Sequence, residues 1–351
     1  IGPTRSEEAL IFDQLTRVSQ LPRGWTQVQD AGRYRLEQRG DEWLFGSGAT
    51  PGSWKRYLNP PEQLIFSAVL KDGAARSFEI VDERPPAEKL ALVGVRPCDL
   101  RAIQAQDRVF MGGPFIDHGY KARRENALII AVNCSQPGGT CFCASTGTGP
   151  EAKSGYDLSL TEVLQEGRHF LVTRSGSETG AALLAEVPHK VATADDLSAA
   201  EQAIADAAHR MGRHLKTDGL PELLAESYDH AAWKQVSQRC FACGNCTLVC
   251  PTCFCSSIED VTNLSGSRTE RIRKWDSCFN LDFSYIHGGS IRTSVQSRYR
   301  QWMMHKLWAW QEQFGEPGCV GCGRCITWCP AGIDITEQAQ LVQQGAPVPA
   351  V

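Results

Sequence analysis

The feature that most constrains this chain is a cysteine motif that occurs twice. The runs CFACGNCTLVCP (240–251) and CVGCGRCITWCP (319–330) both have the spacing C-x2-C-x2-C-x3-C-P. Three cysteines spaced three apart bring their sulfur atoms to three corners of one cubane, and the fourth, before proline, usually ligates the other cluster. The spacing therefore predicts two [4Fe–4S] clusters with crossed ligands, one held by Cys240, Cys243, Cys246 and Cys329 and the other by Cys319, Cys322, Cys325 and Cys250.

Zinc and disulfides are the two other uses of such cysteines. Structural zinc sites typically take two ligands from each C-x2-C pair, with a spacer before the next pair, so the motif fits zinc poorly. A structural metal-binding module therefore remains a less favoured alternative. Disulfides need an oxidising compartment, and no secretory signal is recognisable in this sequence. We therefore expect the protein to lie in the cytoplasm.

Composition limits the partners of the chain. Its 351 residues are enough for two domains, with 42% hydrophobic and 22% charged residues. The formal net charge of −4 favours neither nucleic acid nor an anionic membrane surface. The longest apolar run, ALIIAV (127–132), is far shorter than the roughly 20 residues that cross a bilayer. We expect no nucleic-acid or membrane partner.

The two halves of the chain have different patterns. Residues 1–219 alternate apolar strands with helical stretches, which predicts an α/β domain. Residues 220–351 are predicted to form a mainly α-helical, ferredoxin-like domain for two [4Fe–4S] clusters, with a long insertion between the motifs. We expect His305, in that insertion, to pack rather than to bind metal. The predicted strands are 63–70, 89–95, 127–133 and 169–173, and the predicted helices are 6–21, 194–215, 221–238 and 298–314.

Four further cysteines follow predicted strands. Cys98 follows the strand at 89–95, Cys134 follows the strand at 127–133, and Cys141 and Cys143 lie in the next glycine-rich loop. Binding sites of α/β sheets form at the carboxyl ends of strands. Free cysteines often simply pack, but four in two such loops favour a third [4Fe–4S] cluster over packing.

The last three cysteines are left without an assigned role. The segment CPTCFC (250–255) and the segment WDSC (275–278) contain them, and they lack an obvious fourth cysteine. They could pack around the neighbouring cluster or exchange roles with the preceding four, and Asp276 is a candidate non-cysteine ligand. The three are Cys253, Cys255 and Cys278.

The order of these motifs resembles one group of redox subunits over nearly the whole chain. GVRPCD (94–99), NC (133–134), TCFC (140–143), the doubled cluster motif and WDSC occur in the order typical of the β subunits of cytoplasmic NAD(P)-linked [NiFe] hydrogenases, also called sulfhydrogenases. The electron-transfer subunits of anaerobic sulfite reductases are similar. The stretch SGYDLSL (154–160) is more like the hydrogenase group.

The resemblance implies an electron-transfer subunit rather than a catalytic one. It would relay single electrons between the large and small subunits of a [NiFe] hydrogenase and a flavin subunit that binds NAD(P). The absence of a G-x-G-x-x-G motif after a strand agrees with this role. The electron-transfer subunit of an anaerobic sulfite reductase is the alternative within the resemblance. A free-standing catalyst using the Cys98 loop is least favoured, because no nucleophile or acid–base set accompanies it.

Overall fold

The computed structural model describes residues 1–71, 77–82, 88–165 and 167–345. Strands and helices are distributed over both halves of this part of the chain. The strands are β1 (Gly2–Arg5), β2 (Leu10–Asp13), β3 (Trp25–Asp30), β4 (Arg33–Gln38), β5 (Glu62–Lys71), β6 (Ser77–Val81), β7 (Leu90–Val95), β8 (Ala127–Val132), β9 (Leu158–Gln165), β10 (Arg168–Ser175), β11 (Ser256–Thr262), β12 (Arg268–Trp275), β13 (Tyr285–Ile286) and β14 (Gly289–Ser290). The α-helices are α1 (Lys55–Leu58), α2 (Pro97–Met111), α3 (His118–Glu125), α4 (Glu178–Glu186), α5 (Ala194–His209), α6 (Leu220–Glu226), α7 (Ala232–Ser237), α8 (Asn245–Leu248), α9 (Val295–Met304), α10 (Trp310–Phe314), α11 (Arg324–Thr327) and α12 (Ile335–Gln343).

A four-stranded sheet forms the centre of the first half. Its order is β10-β9-β8-β7, with β7, β8 and β9 parallel and β10 antiparallel to β9. Leu92 and Ile129 on these strands pack with Ile103 and Tyr120 of the helices α2 and α3. The helix α2 begins directly after β7, with Pro97 at its first position, where a missing N–H costs no hydrogen bond. This sheet places the start of α2 and the loop after β8 at one edge.

A second sheet joins the two halves of the chain. Its order is β11-β12-β5-β6, and the antiparallel pairing of β12 with β5 brings a hairpin from between the two cluster motifs onto a strand of the first half. Sequence patterning cannot reveal this pairing, because it depends on a long-range backbone contact. The structure therefore has mixed α/β content on both sides of residue 219, and a boundary at that residue stays a prediction.

Helices and aromatic side chains surround the cluster motifs in the second half. The helices α9 and α10 are joined by a π-helical turn, His305–Ala309, so that residues 295–314 form one continuous helical segment. Trp302, Met303 and Leu307 on this segment pack with Trp233 of α7 and Ile326 of α11. The helix predicted at 298–314 is thus confirmed.

The strands predicted in the first half are confirmed as β5, β7, β8 and β10, but two helix predictions are wrong. Residues 6–21 contain β2 and a short 3₁₀ turn instead of a helix. Leu10 and Phe12 are buried while Ile11 and Asp13 are exposed, which is the two-residue period of a strand. Residues 221–238 form two short helices, α6 and α7, separated at residues 227–231. The helix predicted at 194–215 forms but ends at His209.

None of the helices in the described residues is long and apolar enough to cross a membrane.

Candidate metal centres

The two cysteine motifs have nearly the same backbone geometry. Each motif turns at a left-handed glycine, Gly244 or Gly323, and both of these glycines have φ 74° and start a one-turn helix, α8 or α11. The residue two positions earlier also has positive φ, 52° at Ala242 and 60° at Gly321. Glycine takes up this conformation without steric cost. The tight turns therefore bend the first three cysteines of each motif around a common centre.

The first set consists of Cys240, Cys243 and Cys246 together with Cys329 of the other motif. Burial and the thiolates of Cys240, Cys329 and Cys243, in that order, raise the pKa of Cys246. The four residues line one cavity, whose apolar wall includes Tyr299. Cys243 is the exposed member of the set. The structure thus brings together the four residues that the crossed arrangement predicts.

The second set forms around Cys250, which comes from the first motif. Burial is the main cause that raises the pKa of Cys319, to about 12, and the neighbouring Cys322 and Cys250 raise it further. Burial also raises the pKa of Cys325, with added contributions from Cys319, Cys322 and Cys250. Cys246 of the first set also lies near Cys250 and Cys325. The two sets are therefore adjacent, and each contains a cysteine of the other motif.

Buried lysines lie beside the second set. The Nζ atom of Lys306 donates hydrogen bonds to Cys250 Sγ at 3.2 Å and to Thr252 Oγ1 at 3.0 Å. Burial alone would lower the pKa of Lys306, but the thiolates around it, chiefly that of Cys250, outweigh burial and raise it. Lys55 is buried nearby, donates to the carbonyl oxygen of Cys253 at 3.2 Å and lies over the ring of Trp275. Buried cations require negative partners, which thiolates or a bound anionic cluster would supply.

The third set contains Cys98, Cys134, Cys141 and Cys143, all of them buried. Cys98 lies in the first turn of α2, after β7, and Cys134 follows β8, as the strand pattern predicts. Burial is the main cause that raises the pKa of Cys143, and Cys141 and Cys134 raise it further. Burial likewise raises the pKa of Cys98, with a contribution from Cys143. The four thiols are therefore neighbours at this edge of the sheet, where Cys143 links Cys98 to Cys141 and Cys134.

Glycines leave room for the sulfur atoms of the third set. A Cβ atom on Gly149 would lie 2.8 Å from Cys143 Sγ, and one on Gly138 would lie 3.4 Å from Cys141 Sγ. A side chain at Gly149 would therefore displace the thiol. The glycines of this loop therefore allow the backbone to pack directly against the sulfur atoms of Cys143 and Cys141.

A buried ion pair links the second set to the third. Arg324, between Cys322 and Cys325 in the sequence, donates two hydrogen bonds of 2.8 Å to the carboxylate of Asp99, which follows Cys98. Both side chains are 1% exposed. The Cys141 thiol also donates to the carbonyl oxygen of Cys322 at 3.7 Å. These contacts hold the two sets against each other.

The remaining three cysteines line a cavity together with Lys306. The Cys253 thiol donates a hydrogen bond to Cys250. This hydrogen bond and the charge of Lys306 hold the pKa of Cys250 well below its usual range. Cys255 and Cys278 are hydrogen-bonded to each other, and this bond is the main cause that lowers the pKa of Cys255 to about 7. The carboxylate of Asp276 instead accepts hydrogen bonds from Ser277 and Asn280.

The donor atoms fit [4Fe–4S] clusters better than single metal ions. Over the described part of the chain, no three His, Cys, Asp or Glu side chains form a group that could hold one metal ion. A [4Fe–4S] cluster has a different requirement, because its four cysteine ligands are spread over the corners of a cubane. Thiols that are near neighbours, a lysine hydrogen-bonded to sulfur and glycines packed against sulfur all agree with this requirement.

Sequence reasoning missed the charged residues that surround the cysteines. Lys306 lies in the run MMHKLW, where a lysine among apolar residues is an available signal for an unusual buried charge. Asp99 and Arg324 carry no such signal, because their pairing depends on a contact between distant segments. His305 is half-buried, and burial, together with Lys306 and Arg292, lowers its pKa to about 4, so its ring is uncharged near neutral pH.

Two comparisons with known proteins give matches, one to part of the second half of the chain and one to nearly the whole chain. The family described as the 4Fe-4S dicluster domain matches residues 239–333, which confirms the prediction of [4Fe–4S] clusters in this region. The chain is 34% identical over 336 residues to sulfhydrogenase 2 subunit beta of Pyrococcus furiosus, covering 94% of this chain and 95% of that protein. No solved structure gives a significant match.

Proposed function

The chain belongs to the family of sulfhydrogenase β subunits, and we propose that it relays single electrons between a [NiFe] hydrogenase module and a flavin subunit that binds NAD(P). The hydrogenase module would consist of a large and a small subunit, and the assembly would lie in the cytoplasm. The observation that carries the proposal is that the thiols of the two motifs are interleaved, since Cys329 lies near Cys246 and Cys250 lies near Cys325. This arrangement supports two neighbouring clusters that each take one ligand from the other motif. Neighbouring clusters can pass electrons one at a time.

The proposed ligands follow the sets of side chains described above. One cluster is held by Cys240, Cys243, Cys246 and Cys329, and the second by Cys319, Cys322, Cys325 and Cys250. The buried thiols of the first half hold a third. Residues 220–351 then serve as a ferredoxin-like, mainly helical unit with the β11–β12 hairpin as part of its insertion. The residues of the proposed third set are Cys98, Cys134, Cys141 and Cys143.

A bound [4Fe–4S] cluster supplies reversible one-electron oxidation and reduction. The chain fixes the position and the surroundings of the sulfur atoms. Lys306 donates a hydrogen bond to Cys250 Sγ, and the backbone N–H of Ala242 donates one to Cys240 Sγ at 3.4 Å. Tyr299 and Trp302 line the cavity of the first set and form part of its apolar wall. Hydrogen bonds, nearby charge and burial are the means by which a protein sets a cluster potential.

The proposal is tested in the assembled complex with the variant Cys240→Ala. We expect this variant to lose one cluster and hydrogen-dependent reduction of NAD(P), while hydrogen activation, measured by isotope exchange between deuterium gas and water, continues. Gln235→Ala, a change at an exposed residue of α7, is the control and should keep both activities. Undiminished electron flow to NAD(P) in Cys240→Ala would refute the relay.

A further inference from the structure

A fourth group of cysteines lies outside the three sets described above. Cys253, Cys255 and Cys278 line one cavity of about 240 Å³. The β11–β12 hairpin builds this place. Ser256 pairs with Trp275 at the base of the hairpin, and the N–H of Asp276 donates to the carbonyl oxygen of Cys255 at 2.9 Å. Cys255, directly before β11, and Cys278, shortly after β12, are thereby held beside each other.

His305 is the fourth metal-binding side chain in the same cavity. Its ring lies edge-on to Phe254 and Trp310, with centroids 6.3 Å and 5.6 Å away. Within the described part of the chain, its ring nitrogens make no hydrogen bond. It is also the first residue of the π-helical turn between α9 and α10, and such turns are frequent at functional sites because they redirect side chains. The ring is thus oriented by aromatic contacts and keeps a nitrogen available.

The charges around the cavity favour an anionic group. Arg292 and Lys306 line it, and none of the described lining residues is a carboxylate. The rest of the wall is largely aromatic, including Phe283 and Trp302. A cluster bound by thiolates is anionic, and the two cations offset its charge. A cationic ligand without thiolates would be repelled here.

We propose that Cys253, Cys255, Cys278 and His305 hold a further [4Fe–4S] cluster, with the imidazole completing the ligand set. Imidazole replaces cysteine on iron in Rieske centres and raises the reduction potential there. The chain then has a ligand role for every cysteine, because the two motifs use eight, the third set uses four and this site uses three of the fifteen. Cys253 borders Cys250, so the new site adjoins the second set.

The iron and labile sulfide content of the anaerobically purified full chain tests the new site. The double variant Cys255→Ser, Cys278→Ser should contain about four fewer irons per chain than the wild type, while the EPR signals of the motif clusters persist. The control, Ser256→Ala, changes an exposed neighbour of Cys255 and should keep the full iron content. Equal iron in the double variant and the wild type, or zinc or a Cys255–Cys278 disulfide in place of iron, would overturn the proposal.

The histidine ligand is tested separately, in the wild type, so that a folding defect of a variant cannot mimic the result. Pulsed EPR of the reduced chain should detect a strongly coupled ¹⁴N that becomes ¹⁵N after labelling with ¹⁵N-histidine. His305→Cys should keep the iron content and lose this coupling. A spectrum without histidine nitrogen coupling would overturn the assignment of His305. Either negative result leaves the relay through the motif clusters intact, because Cys240→Ala tests that relay independently.

Discussion

The charge of Lys306 provides a direct test of how the chain sets the reduction potential of its second cysteine set. Its ammonium group is buried, and Nζ lies 3.2 Å from Cys250 Sγ. Reduction adds a negative charge to a cluster, and a fixed cation beside the cluster stabilises the reduced state. Lys306→Met removes the charge and the hydrogen bond while largely preserving the length of the side chain. The reduction potential of the cluster bound to Cys250 should therefore fall.

The size of this fall follows from the distance. The added electron spreads over the cluster, so an effective separation of about 6 Å, roughly twice the bond to sulfur, with an effective dielectric constant of about 20 gives about 3 kcal/mol. For a one-electron couple, about 1.4 kcal/mol corresponds to about 59 mV. The full charge effect is then about 120 mV, and relaxation with entry of water into the site reduces it to an expected range of about 60 to 120 mV.

A potentiometric titration followed by EPR, performed on the assembled complex at constant pH, measures this shift. Lys306→Arg keeps the positive charge and should retain most of the wild-type potential. Lys234→Met, at an exposed position of α7, removes a charge that solvent screens and should leave the potential unchanged. An unchanged or higher potential in Lys306→Met would refute the assigned role of the buried cation.

Two further predictions concern the packing around the third set. Asp99→Asn breaks the buried pair with Arg324 and should lower the free energy of unfolding by about 3 to 5 kcal/mol. The control, Glu42→Gln, breaks the exposed pair with Arg23 and should lower the free energy of unfolding by less than about 1 kcal/mol. Urea unfolding of the anaerobic protein measures both values, and equally small losses in the two variants would contradict the prediction. Gly149→Ala should reduce the iron content by about four per chain, because its Cβ would lie 2.8 Å from Cys143 Sγ. Gly52→Ala, where a Cβ meets open space, is the control, and full iron content in both variants would contradict a third cluster at this loop.

The apolar strands of the first half, and the positions of the cysteines that follow them, could be predicted from the sequence. β7 and β8 are short apolar runs bounded by loop residues, and such runs are typical of buried parallel strands. Because the carboxyl ends of these strands meet at one edge, the convergence of Cys98 and Cys134 could be predicted without coordinates. β9 was missed because Ser159, Thr161 and the buried Glu162 interrupt its apolar pattern. Glu162 accepts hydrogen bonds from the backbone N–H groups of Leu44 and Phe45 at 2.6 and 2.8 Å, contacts that local sequence does not reveal.

The charged residues around the cysteines could not be predicted either, because their contacts also join distant segments of the chain. Lys55 and Lys306 would be expected at the surface, because lysine is rarely buried without a partner. Their partners come from other segments, and only the fold brings these segments together. The expectation that His305 simply packs was based on its isolation in the sequence, while in the structure it shares a cavity with three cysteines. Spacing therefore predicts ligands that lie in one turn, but ligands assembled from distant segments require the structure.

The arrangement of the proposed centres assigns the second set a central position in the relay. Cys246 of the first set lies near Cys250 of the second, and Cys322 of the second set neighbours Cys98 of the third. The first set includes the exposed Cys243, whereas all four thiols of the third set are buried. Electrons that enter or leave at the surface near Cys243 would therefore reach the third set through the second. Because the buried Lys306 lies beside this central set, its charge stabilises an electron at the step that every route between the first and third sets shares.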